Sequence, residues 1–275
     1  MALKPSMLGL SRKAKRRELI RIVESASSIG FDVIVLDSER AVDDLQPVDV
    51  EAVAKFSEEI GGPAIVPTVP VRRGDFNSLL PGYLEILSRR DSMGLCIVAG
   101  NPAYLSADEA SVRPGRLLWS ACMAAEKVLN GRLMLLGTEN VEKVSRQICG
   151  SISCIPFLLL DEGVEEVRRF ADSPKRGVAV YAPFYIGDGV VGEAERVLVS
   201  YARRRKRLVE ALGGGSLGLR EALRVSIVGS VGEAAERVAC LVSSGVRLLI
   251  GFPAKLSTTQ LERLALATRK GWGKG

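Results

Sequence analysis

Apolar runs alternate with amphipathic runs along the whole chain, which predicts an α/β protein folded as a single (β/α)₈ TIM barrel. The length agrees, because 275 residues is close to the roughly 250 of a typical barrel. A doubly wound open sheet competes with this fold. It normally carries a glycine-rich first turn, and no G-x-G-x-x-G follows any predicted strand.

The elements can be read in order. Lys13–Ile29 carries Leu19, Ile20, Val23, Ala26 and Ile29 on one side and reads as a helix ended by Gly30. Phe31–Asp37 is an almost continuous apolar run, as expected of a parallel strand buried on both faces. Val50–Ile60 is a helix closed by Gly61 and Gly62, and Ala64–Val69 is the next strand. Phe76–Ser88 is helical despite Pro81 and Gly82, and Gly94–Gly100 is a strand. Ala107–Asn130 is helical with a break near Pro114. Arg132–Gly137, Cys154–Leu160 and Gly177–Phe184 are strands, separated by helices at Glu139–Cys149 and Gly163–Ala171. Val190–Leu212 is a long helix that runs into the turn Gly213–Ser216. Glu233–Ser243 is a helix, Val246–Phe252 the last strand and Ser257–Lys270 the closing helix. Met7–Leu10 supplies the remaining strand ahead of the first helix. No linker or composition shift divides the chain, so residues 1–275 are expected to form one domain.

Composition narrows the chemistry. The chain has no histidine, so neither a Ser-His-Asp triad nor a Cys-His pair is available. The five cysteines form no C-x-x-C, and no metal site is expected. Buried free thiols in a reducing cytosol are the expectation for them. The first residues place apolar side chains ahead of the basic cluster, the reverse of a secretory signal, and no apolar run suits a membrane span. A cytoplasmic protein is expected. Many charged residues and few Asn or Gln suggest a thermophilic source. The net charge is +6, and the run Arg203-Arg204-Arg205-Lys206-Arg207 is the one nucleic-acid signal. Five consecutive helical positions point all round the helix, so a solvated outer surface suits the run better.

In a barrel the chemistry sits where strands end. Asp37 ends the second strand, either as a proton carrier or ligand contact or as a cap for the next turn. Thr68 ends the third, followed by Arg72 and Arg73, which suit an anionic cofactor or plain surface. Gly100 and Asn101 follow the fourth strand, for close approach of a ligand or for a simple turn. Gly137 and Thr138 follow the fifth and open a helix, as an anion site or an ordinary N-cap. Pro183, Phe184, Tyr185 and Asp188 follow the seventh strand, where aromatics line a flat-ring pocket or seal the core. Ser230 and Glu233 form a capping box.

Several segments resemble the bacterial luciferase-like flavin and deazaflavin monooxygenase/reductase family. RELIRIVESASSIGFDVIVLDSE is similar to that family's first helix and second strand, and AIVPTVPVRRGDFNSLLPGYLEILSRRD to its third unit. LMLLGTENVEKVSRQICG resembles the fifth unit, and VAVYAPFYIGDGVVGEAERVLVSYARRR the seventh. VGSVGEAAERVACLVSSGVRLLIGF resembles the family's last helix and strand. The resemblance implies a barrel, often dimeric, with FMN or the deazaflavin coenzyme F-420 at the C-terminal mouth. It also implies a small organic substrate, in some members a pterin such as methylenetetrahydromethanopterin. The implied cofactor neighbours are Thr68, Arg72, Arg73, Gly100, Asn101, Gly137 and Thr138, with Asp37 as the implied catalytic group. Arg72-Arg73-Gly74 stands where members commonly carry "RHP", so a barrel that binds without catalysing is the alternative function. A nucleic-acid binder is the third.

Overall fold

In the computed structural model every strand pairing among the described residues is parallel, and the fold is α/β as the alternation predicts. The structure describes residues 1–8, 11–39, 45–160, 163–171, 177–190, 192–205, 209–210 and 217–273. Gly9, Leu10, Arg40, Lys206, Arg207 and the expected turn Gly213–Ser216 lie outside the described residues. The chain divides into two compact units, Met1–Phe157 with Ser173–Arg176, and Leu158–Asp172 with Gly177–Gly275.

In the first unit, β1 (Ala2–Leu3), β2 (Val33–Leu36), β3 (Ala64–Pro70), β4 (Leu95–Val98) and β5 (Met134–Gly137) pair in chain order, and β5 pairs with Ile155, Pro156 and Phe157 of β6 (Ile155–Leu159), whose last two residues are counted in the second unit. The helices are α1 (Arg12–Ile29), α2 (Pro47–Glu59), α3 (Phe76–Leu87), α4 (Ala107–Ser111), α5 (Gly115–Leu129) and α6 (Glu142–Ser151). The strands are continuously apolar because both faces are covered: Ile34, Val35, Leu36, Ile65 and Val66 are all buried. Gly30 ends α1 in the left-handed region, its N–H donating to the carbonyls of Ala26 and Ser27, as the sequence predicts.

Three expectations need correction. The first strand is Ala2–Leu3, and Met7 and Leu8 of the expected strand Met7–Leu10 belong instead to a 3₁₀ turn over Pro5–Leu8. Thr138 is not a helix cap: α6 starts later, at Glu142, after a turn in which Asn140 adopts φ +60°. Cys149 and Cys154 are joined as a disulfide between the end of α6 and the start of β6, with Cα atoms 5.1 Å apart. A five-residue separation suits such closure, so the free-thiol expectation fails for these two. Cys96 and Cys122 are free and buried, whereas Cys240 is free and exposed.

In the second unit, β7 (Val178–Ile186) pairs with both β8 (Ile227–Gly229) and β9 (Val246–Pro253). The helices are α7 (Gly163–Ala171), α8 (Glu193–Arg203), α9 (Leu219–Arg224), α10 (Val231–Ser243) and α11 (Thr258–Trp272). The short elements β8 and α9 carry no periodic pattern and escape a sequence reading. Helix α8 spans Glu193–Arg203 with Arg204 as its C-cap, Val209 and Glu210 are again helical, and the other parts of the expected helix over Val190–Leu212 lie in part outside the described residues. Ser230 and Glu233 cap α10 reciprocally, at 3.3 and 2.7 Å. Phe184 is fully buried within β7 and packs against Gly251, so it fills core. At Gly271 a Cβ would stand 2.6 Å from the Ala235 carbonyl, so glycine lets α11 lie directly against α10.

Gln260 fixes the end of β7. Its Oε1 accepts from the Ile186 N–H at 2.8 Å and its Nε2 donates to the Ile186 carbonyl at 2.9 Å. Arg263 donates to the same carbonyl at 2.8 Å. Gln260→Leu strands a buried N–H and is expected to lower unfolding free energy by about 1–3 kcal/mol in urea titration. Gln260→Glu keeps the acceptor and loses the donor, so it is expected to fall between the two. Equal midpoints for the Gln260→Leu variant and the wild-type protein would show that Ile186 finds other partners.

Candidate functional site at the strand ends of the first unit

Parallel strands place all their C-terminal ends on one edge, and in the first unit that edge is rich in polar side chains. Leu3 accepts from the Asp37 N–H at 2.8 Å, so the residues following β1 and β2 stand side by side. Lys4 Nζ lies 3.3 Å from Asp37 Oδ2, with side chains 17% and 15% exposed. The same ammonium is 5.9 Å from the centre of the Tyr104 ring. Burial depresses the Lys4 pKa, but Asp37, Tyr104 and Glu39 together outweigh it, so it stands above the ordinary lysine value. A sequence reading passes over Lys4, because its partner lies far along the chain and a lone lysine carries no pattern.

The loops beyond β2, β3 and β4 are braced against one another. Arg72 donates through Nε to the Ala99 carbonyl at 2.9 Å, through Nη1 to Ala110 at 3.1 Å and through Nη2 to Gly100. Arg73 is 7% exposed; it grips both oxygens of Asp75, at 2.6 and 2.8 Å, and donates to the Ser38 carbonyl at 2.9 Å. Glu39 accepts from the Asn101 N–H. Glu109 accepts from the Gly74 N–H at 2.5 Å while capping α4, and the N–H groups of Ser106 and Gly74 hold its carboxyl below the usual range. The Ser38 hydroxyl donates to the Thr68 carbonyl at 3.1 Å.

The predicted site residues therefore fall into distinct settings. Asp37, Thr68, Arg72, Arg73, Gly100 and Asn101 are brought together on this edge. Thr68 sits within β3, which runs on to Pro70, and stands opposite Cys96 on β4. Burial pushes the Cys96 thiol far above its ordinary value, so it stays neutral and is no nucleophile. Gly100 holds φ +91°, and Asn101 Oδ1 accepts from the Ala103 N–H at 3.0 Å, which leaves its amide NH₂ as a donor. Gly137 ends β5 against Val98, where a Cβ would meet Val98 Cγ1 at 2.9 Å. Thr138 is fully buried, and both its N–H and its hydroxyl donate to the Phe157 carbonyl, at 3.2 and 3.3 Å. Among the described residues no three His, Cys, Asp or Glu side chains converge as metal ligands. No helix of the described residues is long and apolar enough to cross a membrane.

Solved structures share this architecture over nearly their whole length. The chain is similar to the oxygenating constituent of 3,6-diketocamphane monooxygenase from the CAM plasmid of Pseudomonas putida, a type II Baeyer-Villiger monooxygenase in complex with FMN. The TM-score is 0.66 and the identity 14%, over 95% of this chain and 94% of that one. Monooxygenase RslO1 from Streptomyces bottropensis gives 0.61 and 14%, over 93% and 92%. Apo-MsnO8 gives 0.62 and 12%, over 97% and 95%. The chain is thus a parallel α/β protein with the fold of these three. Within that class it belongs to the family described as "Family of unknown function (DUF7388)", whose profile matches residues 13–260. No curated protein matches the sequence.

Proposed function

We propose that this protein is a flavin-linked oxidoreductase of the luciferase-like type, one closed (β/α)₈ barrel over residues 1–275 with its flavin at the strand ends. The carrying observation is the similarity, across nearly all of both chains, to a monooxygenase that holds FMN. The donor set on the strand-end edge fits a flavin ring. Gly100 has no side chain where its loop turns, and the Asn101 NH₂ is a donor suited to ring oxygens and nitrogens. When bound, the flavin supplies the hydride and electron chemistry, and the protein supplies position and a polar environment.

Thr68, Gly100 and Asn101 are assigned to the ring, and the turn from Gly137 and Thr138 into α6 to the phosphate. Arg72 and Arg73 act on the cofactor through the loops they brace, since their nitrogens are engaged with carbonyls and Asp75. Asp37 is assigned a polar contact to substrate. FMN leads over F-420 because FMN is what the similar structure carries. A small organic substrate, a cytoplasmic location and a homodimer accompany this assignment.

Titration of purified protein into FMN, followed by fluorescence quenching, is expected to saturate with a dissociation constant on the order of micromolar. A parallel titration with F-420 decides between the coenzymes, and absence of saturable binding by either overturns the proposal. The engagement of Arg72, Arg73 and Thr138 by internal acceptors favours a competing function, a barrel that binds without catalysing. Turnover of bound flavin with any substrate rejects it.

A further inference from the structure

Cys149 lies in the last turn of α6 and Cys154 directly precedes β6, so their disulfide ties the end of that helix to the start of that strand. The strand segment it anchors brings few donors to the sheet: β6 registers with β5 at Ile155, Pro156 and Phe157, and Pro156 has no N–H. Phe157 carries the carbonyl that accepts both the N–H and the hydroxyl of Thr138, at 3.2 and 3.3 Å. The Ser145 hydroxyl donates to the Gly137 carbonyl at 2.9 Å, so α6 is tied to the same turn from its other side. The turn after β5 is therefore held by two elements, α6 and β6, that the disulfide joins. The two sulfurs differ in access: Cys154 is buried and Cys149 is partly exposed, so a thiol arriving from solvent meets Cys149. Accessible disulfides are the ones that exchange. The bond spans a sequence separation of five, and so small a ring constrains the unfolded chain little, so the fold outlasts its opening.

We infer that the Cys149–Cys154 disulfide is a reversible thiol-exchange site, opened by a dithiol through attack on Cys149, and that its state sets the order of the turn at residues 137–141. A thiolate of the dithiol attacks Cys149 Sγ, the bond between the cysteines breaks, and Cys154 leaves as a thiolate that takes up a proton. The second thiol of the reductant then attacks the mixed disulfide and releases Cys149 as a thiol. Two electrons and two protons pass to the protein, and the dithiol becomes a cyclic disulfide. Cα atoms 5.1 Å apart keep the two thiols near each other, so an oxidised thiol such as glutathione disulfide closes the bond again. The free buried cysteines do not compete: burial pushes the Cys122 thiol up to about 12 and raises Cys96 as well, so both stay protonated. None of these steps requires a bound flavin.

The test treats the folded protein with dithiothreitol, alkylates the thiols with iodoacetamide and maps the label by peptide mass spectrometry. Both Cys149 and Cys154 are expected to take label while circular dichroism stays native, and glutathione disulfide is expected to restore the unlabelled pair. The opening rate rises in proportion to dithiothreitol, as direct attack on the folded chain requires. A rate that levels off at the rate of global unfolding, or opening only in denaturing urea, shows a permanent staple and overturns the inference. Direction is read in the single variants: with glutathione disulfide, Cys154→Ser acquires a glutathionyl group on Cys149 faster than Cys149→Ser acquires one on Cys154. Equal rates overturn Cys149 as the point of entry. Amide hydrogen exchange over residues 137–141 is expected to quicken by about tenfold on reduction, with α1 unchanged. The reduced wild-type protein supplies this reading even where a serine variant folds poorly. Unaltered exchange over those residues, with the bond shown open, overturns the control of the turn.

Discussion

Arg132→Met is expected to be the most destabilising single change in the first unit. Arg132 lies between α5 and β5, and its guanidinium gathers carbonyls from two chain segments. Nε donates to Leu129 at 2.8 Å, and Nη2 donates to Val128 at 2.8 Å and to Leu87 at 2.7 Å. Nη1 donates to the Arg90 carbonyl. Leu87 ends α3 and Leu129 ends α5, so one side chain serves the orphan carbonyls of two helices and favours both negative dipole ends. Each such bond to a charged donor is worth about 1.5–3 kcal/mol, and the sum is discounted because Arg132 is 20% exposed and water replaces part of it. A loss of about 3 kcal/mol is expected in urea unfolding, seen as a lower midpoint with an unchanged slope. Arg132→Lys recovers little, because a single ammonium cannot fork between two helices. A loss below about 0.5 kcal/mol for the Arg132→Met variant would show that water caps these helices equally well.

This dependence is invisible in the sequence, where Arg132 reads as the first residue of a strand. The same holds across the molecule. Periodicity identifies α1, α3, α7, α11 and the buried strands, because a face covered by core leaves a repeat in the residues that line it. Gly30 and the Ser230–Glu233 pair are legible because caps act within three or four residues. Two-residue β1 and three-residue β8 are too short to repeat, and Met7–Leu10 is the more apolar run that draws the assignment away from Ala2–Leu3.

The candidate site is legible as a set of positions and not as a set of contacts. Asp37, Thr68, Gly100 and Asn101 stand out because strand ends share an edge. Arg72 and Arg73 stand out as charges, but the carbonyls of Ala99, Gly100 and Ala110 that engage Arg72 lie 27 to 38 residues on. A sequence displays donors and hides their acceptors. Thr138 shows the same limit: its hydroxyl suggests a cap, and the fold turns it onto the Phe157 carbonyl of the neighbouring strand.

Arg72→Met is expected to have the largest effect on the site. Arg72 ties the end of β3 to both main-chain carbonyls where the loop after β4 begins, and to Ala110 on α4. Burial lowers its pKa and Glu39 opposes this, yet guanidinium remains charged at any working pH. Loss of the fork frees Gly100, whose φ of +91° is held in part by that grip, and with it Asn101. On the proposed function, the affinity for FMN is then expected to fall by about tenfold, equivalent to about 1.4 kcal/mol of lost pre-organisation. Arg72→Lys keeps charge but reaches one carbonyl at a time, so it separates a charge effect from a bracing effect. If Arg72 contacts the cofactor phosphate directly, the lysine variant retains most affinity and binding weakens steeply with salt. If it braces the loop, the lysine variant fails nearly as badly as the methionine one, and salt changes little. The same titration in both variants, at two ionic strengths, distinguishes a residue that holds the ligand from one that holds the loop.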